Sequence, residues 1–96
     1  MDQSKAIEMI AQLSNAYGAP GFEDDVLTVA QRWACDFGEI TSDAMRNLYI
    51  RRNGNTGKRP MVLLDAHSDE VAFMVHSVRK NGTIKFIPLG GWVDYT

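Results

Sequence analysis

A chain of 96 residues with 45 % hydrophobic and 23 % charged side chains has an ordinary globular composition, which excludes disorder and sets one domain, or a piece of one, as the ceiling. A formal net charge of −2 and a pI near 5.5 leave no basic stripe, so electrostatic binding of DNA or RNA is disfavoured. The apolar runs fall far short of a membrane span, and MDQSKAIEMI shows neither the charged n-region nor the apolar h-region of a signal peptide. No membrane partner is expected. A single cysteine, Cys35, cannot form an internal disulfide, and the expected location is the cytoplasm.

The first element is an amphipathic helix. Ala6, Met9, Ile10, Leu13, Ala16 and Tyr17 recur at offsets 0, 3, 4, 7, 10 and 11, the spacing of one helical face. Asp2 or Ser4 can cap its start, and Gly18 followed by Pro20 stops it. A second helix is predicted after Gly21, with Val26, Val29, Ala30, Trp33 and Phe37 on its apolar face and Gly38 at its end. Glu23, Asp24 and Asp25 fall in its first turn, where the helix dipole favours negative charge.

Strand patterns then take over. EITSDAMRNLYIRRN reads as one or two short strands, and NGNTGKRP as a turn. MVLLD, residues 61–65, is a continuous apolar run, the signature of a strand covered on both faces. VAFMVHSVRKNGTIKFIPL holds two strands around Asn81-Gly82, a strong hairpin signal because both residues tolerate positive φ. The fold class is α/β: two N-terminal helices, then mixed β-strands.

The chemistry concentrates just past Asp65. Ligands in open α/β sheets gather at the carboxyl ends of buried strands, and His67, Asp69 and Glu70 stand at that end of MVLLD. Imidazole binds zinc, cobalt or nickel, and a metal-bound His usually gives its other ring N–H to a carboxylate or carbonyl. Asp69 is near enough in sequence to be that acceptor. The same residues also fit a plain acidic surface cluster, because a zinc site needs three or four protein ligands. His76 reads as a solvent-facing strand residue, and Cys35 as a small core or boundary residue. Ser68 lies between His67 and Asp69, but adjacent residues do not form a nucleophilic relay, and no G-x-S-x-G elbow exists. Gly18, Gly21, Gly90 and Gly91 lack a phosphate-cradling spacing. Trp33 and Trp92 read as packing residues.

Four stretches taken together carry a family resemblance: APGFEDDV (19–26), D-x-x-x-N-L (43–48), LLDAHSDEVAFMV (63–75) and NGTIKFIPLGGW (81–92). Their order and spacing resemble the cytosolic metalloaminopeptidases that form hollow tetrahedral particles, the glutamyl and deblocking aminopeptidases also called cellulase M. The resemblance implies a two-ion centre, zinc or cobalt, on a catalytic α/β domain of zinc-exopeptidase type. It implies His67 as a metal ligand and Asp69, in the catalytic set, as the residue that holds His67. It implies hydrolysis of N-terminal peptide bonds, so peptide substrates, and a homo-oligomer. Residues 1–70 would be the N-terminal part of the catalytic domain, and 71–96 the opening strands of an inserted β-barrel domain used for subunit pairing.

Two positions depart from the family pattern, with Ala72 and Arg46 each standing where glycine is usual. The family's other acidic ligands, its general-base Glu and its last His have no counterpart here. The expectation is an N-terminal part of such an enzyme, inactive as these 96 residues, with strand edges around 61–87 that self-associate. The alternative is a non-catalytic binding or assembly module that keeps part of the peptidase fold.

Overall fold

A computed structural model describes residues 2–58 and 60–93. Arg59 of the expected turn and residues 94–96 of the second expected segment lie outside the described residues. The order is α1 (Gln3–Asn15), α2 (Asp24–Ala34), β1 (Gly38–Ser42), β2 (Leu48–Arg52), β3 (Ala72–Val78) and β4 (Ile84–Leu89).

Asp2, not Ser4, caps α1. Its carboxylate accepts from the Lys5 amide at 2.8 Å, satisfying one of the unpaired first-turn N–H groups. Ala16 turns extended, so the helix ends at Asn15, three residues before Gly18, and Tyr17 is 79 % exposed rather than on the buried face. In α2, Asp24 and Asp25 occupy the first turn as expected, while Glu23 stands one step outside. The Glu23 carboxylate instead accepts from the Gly21 amide at 2.6 Å. Helix α2 stops at Ala34, and Gly38 opens β1 instead of ending a helix. That leaves Phe37 exposed beneath the Arg52 guanidinium, and Cys35 exposed rather than in a core. The two helices pack together, with Met9, Leu13, Val26, Ala30 and Trp33 half-buried, and the Trp33 indole donates to Gln12 Oε1 at 2.9 Å.

Strands β1 and β2 pair antiparallel, with Ile40 opposite Ile50 and Ser42 opposite Leu48. Strands β3 and β4 form a second antiparallel pair, with a bulge between Val75 and Ser77 at exposed His76. The Asn81-Gly82 hairpin is present, but only Gly82 takes positive φ (83°). Asn81 works through its side chain, whose Oδ1 accepts from the Thr83 amide and hydroxyl. This turn is therefore the Asx kind rather than a two-residue primed turn. Across its open end the Trp92 ring stacks on Phe73 at 4.2 Å, and Phe73 meets Phe86 edge-on at 4.4 Å.

The strand expected at residues 61–65 is absent. Met61 to Leu64 is not a covered strand: it belongs to no ladder among the described residues, and Leu63 and Leu64 are 82 % and 91 % exposed. A buried parallel strand requires neighbours on both edges and cover on both faces. The described strands are spent in two antiparallel hairpins that leave this run unpaired.

No hydrophobic side chain among the described residues is fully buried. The radius of gyration is 17.9 Å, against roughly 12–13 Å for a compact domain of this length. The accessible surface is 8556 Å², where a compact protein of this mass exposes about 5500 Å². The chain therefore presents its apolar faces to the outside. No described helix is long and apolar enough to cross a membrane.

Candidate functional site

The candidate site lies on the extended segment between β2 and β3, where it passes the loop after α1. That loop, Ala19-Pro20-Gly21-Phe22, is a tight turn in which the Phe22 amide donates to the Ala19 carbonyl at 2.7 Å. Proline presets φ at its second position, and Gly21 supplies the positive φ (84°) that a type II turn needs at its third. Just before the turn, the Gly18 carbonyl accepts from the Glu70 amide at 2.7 Å. The segment is thus tied to the helical half next to His67.

His67 Nδ1 lies 3.0 Å from Asp69 Oδ1 and 3.0 Å from the Asp69 main-chain oxygen. Both partners are acceptors, so the nitrogen between them carries the proton and donates. The lone pair then belongs to Nε2, on an imidazole whose side chain is 85 % exposed. Asp69, at 42 %, is the more covered member of the pair. The arrangement fixes one tautomer and one ring direction, as a ligating His requires.

His67, Ser68 and Glu70 also line an open groove of ≈ 570 Å³ between the helices and β2, with Leu13, Val26, Ala30, Leu48, Ile50 and Leu64 as its apolar wall. His76 sits in β3 with its ring 3.4 Å from the Ser77 hydroxyl, apart from this groove. Cys35 does not line it either.

The donor set sets the limit on metal chemistry. Among the described residues no three His, Cys, Asp or Glu side chains converge on a common point. His67 fits as one ligand, but these residues do not make a whole centre, which takes three or four.

Sequence reading placed His67 and Asp69 together but missed two features: the Asp69 main-chain oxygen as a second acceptor, and Gly18 as the anchor of the segment. By local pattern Gly18 reads only as a helix stop. Its long-range role had no local signal.

A sequence profile of the M42 glutamyl aminopeptidase family matches residues 46–96, the stretch that contains His67 and Asp69. The chain belongs to this family. The glutamyl aminopeptidase of Lactococcus lactis is 28 % identical over 86 residues, covering 88 % of this chain and 24 % of that protein. The putative aminopeptidase FrvX of Escherichia coli is 35 % identical over 88 residues, covering 90 % of this chain and 24 % of its own. Among solved structures, the TET aminopeptidase of a marine sediment thaumarchaeon superimposes with a TM-score of 0.81 at 33 % identity. That match covers 94 % of this chain and 25 % of that one. The chain thus spans about a quarter of the length of these M42 relatives.

Proposed function

We propose that this chain is the N-terminal part of a metal-dependent aminopeptidase that removes N-terminal residues from peptides, with His67 as one metal ligand and Asp69 as its orienter. The observation that carries the reading is that His67 Nδ1 faces two acceptors of Asp69, which leaves the Nε2 lone pair free on an exposed ring. It falls inside the stretch matched by the family profile. A divalent ion, zinc or cobalt, would supply Lewis-acid polarisation of the substrate carbonyl. The chain's own share is to present one imidazole in a fixed tautomer beside an apolar groove. Residues 1–70 would belong to the catalytic domain, and 71–96 would open an inserted β domain for subunit pairing. The separation of the β1–β2 pair from the β3–β4 pair supports that division.

One ligand does not hold a catalytic ion against water. The 96-residue chain is expected to bind zinc or cobalt weakly and to leave an aminoacyl-nitroanilide uncut. Isothermal titration with each ion tests the assignment. Binding should disappear in His67→Ala and persist in His76→Ala. Equal binding by the two variants would remove His67 from the site and favour a non-catalytic assembly module.

A further inference from the structure

We propose that Gly18 is a positioning residue for the His67–Asp69 pair, its missing side chain allowing the site segment to lie directly against the backbone after α1. The inference rests on the functional reading above and adds the device that aims its ligand.

Three observations converge on Gly18. It is the one buried position among the described residues. Its carbonyl takes the Glu70 amide at 2.7 Å, the main-chain hydrogen bond that ties the segment to the helical half. A Cβ built at this position would stand 2.9 Å from the Ser68 carbonyl oxygen and 3.9 Å from Asp69 Cα. Gly18 is not among the glycines with positive φ, so turn geometry does not explain it. Close approach does. The obstructing atom is backbone, with no flexible end to swing aside, so any side chain at 18 must push the segment away.

The segment passes a second glycine one step further along. A Cβ at Gly90 would come within 3.3 Å of Val71 Cγ1, and Pro20 lies 3.8 Å from the same point. Residues 68–71 therefore run close past glycine at two points, Gly18 beside Ser68 and Asp69 and Gly90 beside Val71. Both acceptors of His67 Nδ1 come from Asp69, whose Cα lies at the first of these points. A displacement of Ser68 and Glu70 carries the Asp69 carbonyl and carboxylate with it. Ligand geometry of this kind tolerates only about half an ångström of error.

The test uses the isotopically labelled chain and two NMR readouts that folding alone does not set. The first is the through-hydrogen-bond coupling between the Glu70 nitrogen and the Gly18 carbonyl carbon. The second is the pair of imidazole nitrogen shifts of His67, which report its tautomer. The wild-type chain should show the coupling and the tautomer protonated at Nδ1. Gly18→Ala should lose the coupling and move His67 toward the opposite tautomer. Gly54→Ala is the control, because Gly54 has positive φ (80°) and nothing within 4 Å of its Cβ position. It strains the backbone without touching the site, and His67 should not respond. Overturning results are a Gly18→Ala chain with wild-type signals, or a Gly54→Ala chain that shifts His67 as far. Should Gly18→Ala fail to fold, the wild-type coupling decides: its presence supports the proposal and its absence overturns it. A chain that shows the coupling but no His67-dependent zinc binding would sink the functional reading while leaving the clamp in place.

Discussion

Asn47 grips both oxygens of the Asp43 carboxylate: its amide N–H donates to Oδ1 at 3.0 Å and its side-chain nitrogen to Oδ2 at 2.9 Å. The Met45 amide and the Tyr49 hydroxyl donate to the same carboxylate. One ionised side chain thus closes the turn that joins β1 to β2.

This knot makes the hairpin pH-sensitive at both ends. The Asn47 side-chain hydrogen bond, with smaller help from the Asn47, Tyr49 and Met45 donors, holds the Asp43 carboxyl below its usual range. A depressed carboxylate stabilises above its unfolded pKa and stops doing so as pH falls through its folded one. Tyr49 is shifted the other way, raised chiefly by its hydrogen bond to Asp43 and by that group's charge. Its contribution is complete below about pH 10 and vanishes as pH rises through the folded value. Amide shifts of residues 38–52 should therefore stay constant across the neutral range and change at the two extremes. Asp43→Asn should abolish the acid limb, and Tyr49→Phe should remove the tyrosine's part of the alkaline one. An acid limb unchanged in Asp43→Asn would show that other carboxylates govern it.

Arg46 is the one described non-glycine residue with positive φ (67°), in the same turn. A side chain there costs about 1–2 kcal/mol. Its guanidinium also pairs with Asp24 at the start of α2, with side-chain exposures of 39 % and 78 %. An exposed pair is worth about 0–1 kcal/mol and weakens with salt. Strain outweighs attraction, so Arg46→Gly should raise stability in urea by roughly 0.5–1 kcal/mol. A loss of stability would mean that the bridge to α2 dominates.

Gly38 faces the opposite constraint. A Cβ there would collide with the Arg51 carbonyl and come within 2.9 Å of Arg52 Cα, both on the paired strand. Gly38→Ala should destabilise the β1–β2 pair by roughly 2–3 kcal/mol, in the range of overpacked sites. Hydrogen exchange would show this as lost amide protection in residues 38–52, with α1 unaffected. Retained protection would mean that the sheet can splay at this end.

The uncovered run Met61-Val62-Leu63-Leu64 predicts self-association. Four exposed apolar residues on an unpaired extended backbone are a template for strand addition. Sedimentation should show mass rising with concentration, and Val62→Lys with Leu64→Lys should suppress it. A monomer at all concentrations would show that this edge is not sticky.

Local rules made most of the fold legible. Asp2, Asn81-Gly82 and the helical spacing of Met9, Leu13, Val26 and Ala30 act within a few residues of themselves, and each did what its chemistry dictates. The failures need partners that local pattern does not contain. MVLLD has the composition of a buried strand, but its burial depends on neighbours, and none of the described strands pairs with it. The helical spacing puts Phe37 on an apolar face of α2, but that helix ends at Ala34, before reaching it. The pairing of His67 with Asp69 was legible because two residues of separation suffice for it. The Gly18–Glu70 bond, spanning 52 positions, was not.

The two indoles give each half of the molecule its own optical signal. Trp33 sits half-covered in the helix pair with its N–H on Gln12. Trp92 is 41 % exposed, stacked on Phe73 at the mouth of the second hairpin, with its N–H on the Ala72 carbonyl. Replacing either ring with phenylalanine leaves a single emitter. Melting followed through Trp33 then reports the helices, and melting followed through Trp92 reports the strands. Two separated transitions would show the halves letting go independently, and one shared transition would show the extended segment passing strain between them.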